Sequence, residues 1–270
     1  MLFSSKKITI CVIIPARNRP ELTADAIRST LDQRLPRNVK LEVIIIDNRS
    51  QPSLKKLIGK KFPKIKFIRS RGYDSPGGTR NYGIRKATGD YVAFLDNDDQ
   101  WKPDFLIKSL KTIQATKTPA TVCLTAPFFD GPYPLIEKLK LIFLNLIRTF
   151  VFIVIWILNH QKLPPSGFYL CQISHILFDK KAIKNTKFNE TAVAAEDWEF
   201  MVDVTKNKPT SIILKPLVKF RYSWSSNTNS DQVRAKKWQA YQNLINRLPA
   251  SYKQGILHRL FHLYIRSFGH

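Results

Sequence analysis

Three short apolar runs in the first hundred residues each stop abruptly, the first at a proline and the other two at an aspartate. The runs are 8–14 (ITICVII), 41–46 (LEVIII) and 91–95 (YVAFL). Nearly continuous runs of β-branched, aliphatic and aromatic residues of this length are typical of strands buried on both faces of a sheet. Segments of helical pattern separate them, the first running from Pro20 to about Gln33. This alternation predicts an α/β fold built on a doubly wound, mostly parallel sheet.

Weaker signals complete the expected order of elements. A strand is predicted at 65–68, a helix at 79–87 opened by Gly77-Gly78, a helix after Pro103, a strand at 120–124 and strand-like chain at 167–178. The segment 135–158 is strongly apolar but carries four charged residues, and its longest uncharged stretch is shorter than the roughly 20 residues that a spanning helix needs. We expect an interfacial or core helix there.

Three acidic residues follow the third apolar run within four positions. They are Asp96, Asp98 and Asp99, separated only by Asn97. Like charges at this spacing repel one another unless a cation or hydrogen-bond donors offset them. Carboxylate oxygens suit Mg²⁺ or Mn²⁺, which commonly bridge to substrate phosphates. The alternative is a solvated acidic turn that caps the next helix.

The ends of the other two predicted strands also carry residues that could contact a ligand. Pro15, Arg17 and Asn18 follow the first run, and Asp47-Asn48 follow the second. In an open α/β sheet the carboxyl ends of parallel strands meet at one edge, where ligands bind. Asp, Asn and Arg side chains at this edge can form directional hydrogen bonds with a base and a ribose. Cationic side chains there can form ion pairs with a diphosphate. Taken singly, each group also fits ordinary turn chemistry.

A pair of adjacent acids, Glu196-Asp197, opens a largely apolar helix at 198–204. Acids at a helix start are usually capping groups or partners of the helix dipole. The functional alternative is a general base. A sugar hydroxyl is a weak nucleophile at neutral pH and needs a carboxylate within hydrogen-bond reach to remove its proton.

Four segments in this order, VIIPARNRPEL, VIIIDNRS, GGTRNYGIRKATGDYVAFLDNDDQW and FNETAVAAEDWEF, resemble the family-2 inverting glycosyltransferases of the GT-A fold. The resemblance covers roughly residues 8–206. It implies a GT-A domain over 1–228, with a Rossmann-like nucleotide-binding half at about 8–125 and an acceptor half at about 126–228. A helical C-terminal extension is expected at 229–270.

The resemblance also implies roles for individual residues. Asp197 matches the catalytic base, with Glu196 supporting it, and Asp98 is the leading ligand of a divalent metal (Mn²⁺ or Mg²⁺), with Asp96 and Asp99 beside it. The donor-side candidates are Pro15, Arg17, Asn18, Asp47, Asn48, Arg80, Asp96, Asn97 and Arg221. The acceptor-side candidates are Trp198 and Trp224.

The chain departs from the family pattern at two places. Asn48 and Arg49 stand where the family often has an acid and a glycine, which leaves the identity of the nucleotide base open. The segment 220–224 (FRYSW) keeps an arginine, Arg221, which is expected to meet the diphosphate, but has no histidine. Trp224 has two interpretations, a platform that stacks on a sugar and a buried core side chain.

The charge balance limits the choice of partners. The chain has 44 Lys and Arg against 20 Asp and Glu, a formal net charge of +24, and therefore attracts anions. Its positive charge is dispersed, without a nucleic-acid reader motif, so no nucleic-acid partner is predicted. The predicted partners are a nucleotide-sugar donor, with UDP-sugars favoured, a glycan or lipid-linked acceptor, and an anionic membrane surface. There are two alternatives. One is a non-catalytic nucleotide-sugar or glycan-binding module, although such a module needs no base at Asp197. The other is a basic nucleic-acid-binding protein, for which the net charge is the only support.

The cysteines and the termini complete the expectations. Three cysteines without a CxxC motif indicate a reducing compartment, and the N-terminus is too short and polar for a signal peptide. We therefore expect a cytoplasmic protein, peripheral on the inner face of the plasma membrane. After Pro249, an apolar stripe with basic neighbours predicts a helix that lies on a membrane or packs at the chain end.

Overall fold

The computed structural model describes residues 7–70, 72–73, 75–158, 162–163, 172–192, 196–205 and 208–223, with Gln239 and Gln242 in isolation. Trp224, the first five residues of the strand-like segment predicted at 167–178 and nearly all of the C-terminal extension predicted at 229–270 lie outside these residues. In the rest of the 167–178 segment the prediction is right only for 176–178, because Ile173–His175 form a 3-10 turn. The strands are β1 Ile8–Ala16, β2 Val39–Asp47, β3 Lys66–Arg69, β4 Tyr91–Phe94, β5 Gln100–Trp101, β6 Ala120–Asp130, β7 Lys162–Leu163, β8 Ile176–Asp179 and β9 Thr210–Ser223. The helices are α1 Pro20–Leu31, α2 Leu54–Ile58, α3 Pro76–Lys86, α4 Phe105–Thr116, α5 Leu135–Leu158, α6 Lys180–Ile183 and α7 Glu196–Thr205.

Most strands of the single mixed sheet run in one direction. Its order is β3-β2-β1-β4-β8-β6-β9-β5, and β7 pairs with β9. Strands β1 to β4 are parallel, β8 runs against β4 and β6, and β9 is parallel to β6. The predicted parallel α/β sheet is confirmed.

The register brings the three predicted strand ends to one edge. Ala16 pairs with Asp47 at the ends of β1 and β2, and Ile13 pairs with Phe94 near the ends of β1 and β4. The polar residues that follow these strands therefore start from neighbouring positions, as the apolar runs indicated. Strand β6 is longer than predicted and continues to Asp130 at the same edge, because β9 accompanies it along its whole length.

Alternate residues of the central strands pack into separate cores on the two faces of the sheet. One core contains Phe94, Phe178, Phe188 and Phe200, with the rings of Phe188 and Phe200 stacked at 3.8 Å between centroids. The other contains Ile10, Ile14 and Ala93 together with the side chains of α1 and α4. Helix α7 lies on the first face through Phe200, which fixes its position relative to β4.

Helix α3 approaches the segment before α7 very closely. A Cβ on Gly77 would lie 2.7 Å from the carbonyl oxygen of Asn189, so a glycine is needed at that contact. One turn later, the buried Asn81 side chain donates to the carbonyl oxygen of Phe188 and to Glu190 Oε1 and accepts from the Phe188 amide. These contacts hold α3 against the 188–190 segment and aim Arg80 at the start of α7.

Helix α5 leaves the sheet edge after β6. Its inner side meets the sheet through Lys138, whose ammonium lies 5.2 Å from the centre of the Phe129 ring, and Asn145 is buried on the same side. A line of large apolar side chains points away from the protein. In the part of the chain that the structure describes, no helix combines the length and the apolar character needed to cross a bilayer.

Candidate active site

The acidic segment after β4 forms a tight turn at the carboxyl edge of the sheet. The amide of Asp96 donates to Ser174 Oγ at 3.1 Å, and the amide of Asp99 donates back to the carbonyl oxygen of Asp96 at 3.0 Å. Ser174 belongs to a short 3-10 turn, Ile173–His175, that precedes β8. The turn therefore has a defined backbone, which holds three carboxylates within four residues.

Arg80 joins this turn to the start of α7. Its Nη2 donates to Asp96 Oδ1 at 2.7 Å and its Nη1 donates to Glu196 Oε1 at 2.8 Å, and the side chain is only 6% exposed. Burial opposes the charged guanidinium, but the carboxylates of Asp96 and Glu196 outweigh it and raise the pKa of Arg80 further. Arg80 therefore stays cationic and holds two acids from distant parts of the chain at one point.

Asp98 and Asp99 differ in exposure and in partners. Asp98 is partly exposed and pairs with Arg19 Nη1 at 3.1 Å, while burial and the charge of Asp96 raise its pKa. Asp99 is buried, and its Oδ1 accepts from the Arg221 amide at 3.2 Å. Its Oδ2 has no hydrogen-bond partner in the described structure, and burial with the charges of Asp96 and Asp98 raises the pKa of Asp99 well above its usual value.

Arg221 lies beneath the acidic turn, with its side chain 7% exposed. Its Nε donates to the carbonyl oxygen of Asp98 at 2.9 Å, and its Nη1 meets Asp130 Oδ2 at 2.6 Å. The guanidinium also lies 4.8 Å from the centre of the Phe128 ring. The β6–β9 pair thus supports the backbone of the turn from below, and the predicted contact of Arg221 with a diphosphate stays a prediction.

Asp197 lies in the first turn of α7, next to the Arg80 bridge. Its side chain is partly exposed, and its Oδ1 accepts from the Trp198 amide at 2.9 Å. Burial and the neighbouring charge of Glu196 raise the pKa of Asp197 to about 7, although Arg80 acts in the opposite direction. A carboxyl group with this pKa exchanges protons readily near neutrality, which is what a general base requires.

The side chains of Asp47 and Asn48 build the loops at the ends of β2 and β3. Asp47 accepts from the Ser50 and Leu54 amides at 2.9 Å each. Asn48 accepts from Ser70 Oγ and from the Tyr73 amide, and donates to the carbonyl oxygen of Tyr73. Both residues lie at the predicted edge and are buried, so each has a structural role whatever it contacts in a ligand.

The other predicted residues are placed as follows. Pro15 pairs with Ile46 inside the sheet, Arg17 is exposed, and Asn18 adopts a positive φ of 56° at the end of β1. Asn97 donates to Thr23 Oγ1 at 3.2 Å, which ties the acidic turn to α1. Trp198 packs at the margin of the first core, behind Asp197.

Several residues of this site were not among the sequence candidates. Arg19 follows the first strand end and meets Asp98, so the clustering of polar residues at strand ends could have identified it. Ser174 and Asp130 carry no such signal, because each becomes part of the site only through the strand order of β8, β6 and β9.

The arrangement fits a divalent ion shared with a ligand rather than a site made by protein alone. Among the described residues, no three acidic, histidine or cysteine side chains converge on one point. Mg²⁺ and Mn²⁺ are commonly held by one or two carboxylates, with phosphate oxygens and water completing the shell. The carboxylate of Asp98 and the unpartnered oxygen of Asp99 are donors of this kind.

The fold and this edge define an open, mostly parallel α/β protein with clustered carboxylates at the carboxyl ends of its strands. The model of glycosyl transferase family 2 matches residues 11–182. The chain belongs to that family.

Curated relatives are similar over part of the chain. The amylovoran biosynthesis glycosyltransferase AmsB of Erwinia amylovora is 37% identical over 40% of this chain and 37% of its own length. The GalNAc(5)-diNAcBac-PP-undecaprenol beta-1,3-glucosyltransferase of Campylobacter jejuni is 34% identical over 34% of this chain and 30% of its own length. Matches to the curated relatives cover between 15% and 42% of their lengths.

Solved structures share the fold over most of the chain. TarS from S. aureus, in complex with UDP-GlcNAc, superposes with a TM-score of 0.66 at 16% identity, covering 91% of this chain and 69% of that one. A mannosyltransferase from Pyrobaculum calidifontis, in complex with GDP-Man and Mn²⁺, gives a TM-score of 0.65 at 18% identity, with coverage of 96% and 71%. These similarities confirm the GT-A fold predicted from the sequence.

Proposed function

We propose that the protein is a metal-dependent, inverting glycosyltransferase that moves a hexose-type sugar from a nucleotide-sugar donor to an acceptor hydroxyl. The observation that carries the proposal is the double bridge of Arg80. It holds the acidic turn and the first turn of α7 together, so that metal-binding carboxylates and a carboxyl group of near-neutral pKa border one site.

Transfer is a single displacement. Asp197 accepts the proton of the acceptor hydroxyl, and the freed oxygen forms a bond to the anomeric carbon of the donor. The bond between that carbon and the diphosphate oxygen breaks, and the nucleoside diphosphate leaves with the electron pair. Attack from the face opposite the leaving group inverts the anomeric configuration. Glu196, paired with Arg80, keeps the first turn of α7 in place.

Asp98 is the residue that would hold the divalent ion, with Asp96 and Asp99 beside it. When bound, the ion supplies charge that stabilises the departing diphosphate. A diphosphate and a ribose would lie at the ends of the adjoining strands. The residues there are Arg17, Asn18, Arg19 and Asn97. We favour a UDP-sugar, and the UDP-GlcNAc bound by the structural neighbour TarS supports this choice.

We propose an acceptor of cell-surface polysaccharide assembly, either a growing glycan or a lipid-linked sugar. The relatives support this class, since one is a glycosyltransferase of amylovoran biosynthesis and another is a glucosyltransferase whose acceptor is linked to undecaprenol through PP. We also propose a peripheral position on the cytoplasmic side of the membrane, where the protein would reach a lipid-linked acceptor.

The test separates binding from chemistry. Thermal shifts measured with a panel of nucleotide sugars, with Mn²⁺ or with chelator, identify the donor; a ligand at about 100 times its Kd adds roughly 2.7 kcal/mol. Asp197→Asn should keep the metal-dependent shift and lose transfer, and the exposed Asp32→Asn should keep both. Full transfer activity in Asp197→Asn refutes the assigned base. Donor binding without turnover by the wild type across a wide acceptor panel points instead to a binding module.

A further inference from the structure

Helix α5 carries an exposed apolar face of unusual extent. Ten large hydrophobic side chains are exposed among the described residues, and eight of them belong to α5. The eight are Leu135, Ile136, Leu139, Phe143, Leu146, Ile147, Phe150 and Ile157. Their exposed fractions correspond to on the order of 900 Å² of apolar surface, more than the roughly 300–600 Å² of the largest patch on a typical monomer.

These side chains lie on one side of the helix. At 3.6 residues per turn they fall in an arc of roughly 120° that extends for about 33 Å along the axis. The same arc takes in positions 153 and 154, an isoleucine and a valine, and contains no polar or charged residue. We name it the α5 apolar face.

The opposite side of α5 belongs to the protein. Asn145 is 8% exposed, and Lys138 covers the Phe129 ring of β6. The helix is therefore fixed against the sheet along its side, and the apolar face looks outward. A helix held in this way lies parallel to a surface that it meets, as interfacial helices do.

We propose that the α5 apolar face docks on an anionic lipid bilayer, with the helix axis in the membrane plane. Lys140, whose side chain is 62% exposed, stands just outside the arc and pairs with Glu137 Oε1 at 2.8 Å. The whole chain has a formal net charge of +24. An apolar face on a strongly cationic protein matches the two layers of an anionic interface, acyl chains below and acidic headgroups above.

Pairing with a second copy of the chain fits this face less well. The spacing 136, 139, 143, 146 and 150 is that of a coiled-coil seam. A coiled coil takes its partner and register from charged residues that flank the seam. Here the six flanking positions, 140, 142, 147, 149, 154 and 156, include one charged residue, Lys140. The apolar arc also extends beyond the seam positions. A lipid bilayer can cover the whole arc, whereas a single partner helix would cover only the seam.

Docking through α5 would bring the active edge to the membrane. Strand β6 ends at Asp130, which contacts Arg221 beneath the acidic turn. Leu135 follows five residues later and therefore lies within about 18 Å of Asp130. This part of the inference rests on the proposed function: the site would face a sugar carried on a lipid diphosphate at headgroup level.

The experiment is flotation of the full 270-residue chain with vesicles of phosphatidylcholine and phosphatidylglycerol at low salt. The wild type should float with the vesicles, and Phe143→Glu/Phe150→Glu should bind at least tenfold more weakly. Leu31→Glu/Leu57→Glu is the matched control, because it puts the same two charges on exposed apolar positions of α1 and α2. It should bind like the wild type. Circular dichroism and the donor-induced thermal shift check that each variant is folded.

Two results would overturn the inference. One is a wild type that stays off anionic vesicles while it still binds its donor. The other is a folded double variant that floats like the wild type. The inference also fails if the only measured change is in light scattering without vesicles, with the wild type a dimer and the double variant a monomer. The proposed function can fail separately. If the protein floats through α5 but binds no nucleotide sugar, the membrane inference stands and the enzyme assignment is wrong.

Discussion

Arg80 donates a hydrogen bond to Glu196 at 2.8 Å across 116 residues of sequence. The same guanidinium bonds Asp96, so one buried cation compensates acids from the acidic turn and from α7. Removing one partner of a buried ion pair typically costs about 3–5 kcal/mol, because the remaining charge is left uncompensated.

We therefore expect Arg80→Gln to lose about 3 kcal/mol of unfolding free energy and most of its transfer activity. Urea denaturation and a donor-turnover assay measure the two effects. Arg85→Gln, an exposed position on the same helix, is the control and should change neither. Wild-type stability in Arg80→Gln would mean that the two acids do not depend on this cation.

The raised pKa of Asp197 predicts a pH-dependent stability. Burial raises the pKa from 3.8 to about 7, so the folded state retains this proton at pH values where the unfolded chain has lost it. Stability therefore falls as pH rises from about 4 to about 7, and the full penalty persists above that range. Asp197→Asn removes the penalty. We expect it to melt several degrees above the wild type at pH 8, at about 2–4 °C per kcal/mol, and to show no gain at pH 4.

Differential scanning fluorimetry across this pH range measures the effect. A melting difference that does not change with pH would contradict the raised pKa. The same variant is expected to lose activity, so Asp197 would be a residue at which stability is given up for chemistry.

Arg221 supports the acidic turn through geometry as well as charge. Its Nε reaches the carbonyl oxygen of Asp98 while Nη1 reaches Asp130, and a lysine cannot make both contacts. We expect Arg221→Lys and Arg221→Gln to weaken Mn²⁺-dependent nucleotide binding by about tenfold, equivalent to about 1.4 kcal/mol. Calorimetric titration measures this affinity, and the exposed Lys219→Gln on the same strand is the control. Full rescue by lysine would show that charge alone matters.

Asn81 fastens α3 to the segment before α7 with three hydrogen bonds, all to groups of Phe188 and Glu190. Asn81→Leu leaves the buried amide and carbonyl of Phe188 without these partners. At about 1–3 kcal/mol for each of these two unsatisfied groups, we expect a loss of about 2–6 kcal/mol in urea unfolding. Lys86→Gln, exposed at the end of the same helix, should unfold like the wild type. A loss below about 1 kcal/mol would indicate that water replaces Asn81.

The sheet and its ligand edge were predictable because they depend on local patterns. The apolar runs before Pro15, Asp47 and Asp96 identify buried strands, and parallel connection places their ends together. The support beneath the edge was not predictable. Arg221 meets Asp98 because β9 pairs with β5 directly after the acidic turn, with Gln100 opposite Lys219, and no local pattern specifies a contact across 123 residues.

Asp47 and Asn48 illustrate a second limit of sequence reasoning. Both were expected to contact the nucleotide base, and both have side chains engaged by neighbouring loop atoms. Asp and Asn bond nearby backbone so readily that the same residues suit a ligand contact and a turn. The sequence therefore predicts which residues lie at the ligand edge. Only the structure shows which way their side chains point.

The reversed strand β8 has a consequence for the synthesis of the chain. It covers the edge of β4 through the pairs Tyr91–Asp179 and Ala93–Leu177. A ribosome adding about 5–20 residues per second completes β4 roughly 4–17 s before it reaches β8. During that interval β4 has an open, apolar edge, the kind of surface that pairs with other chains. Nascent chains halted between the two strands should therefore need chaperones far more than chains halted after Asp179.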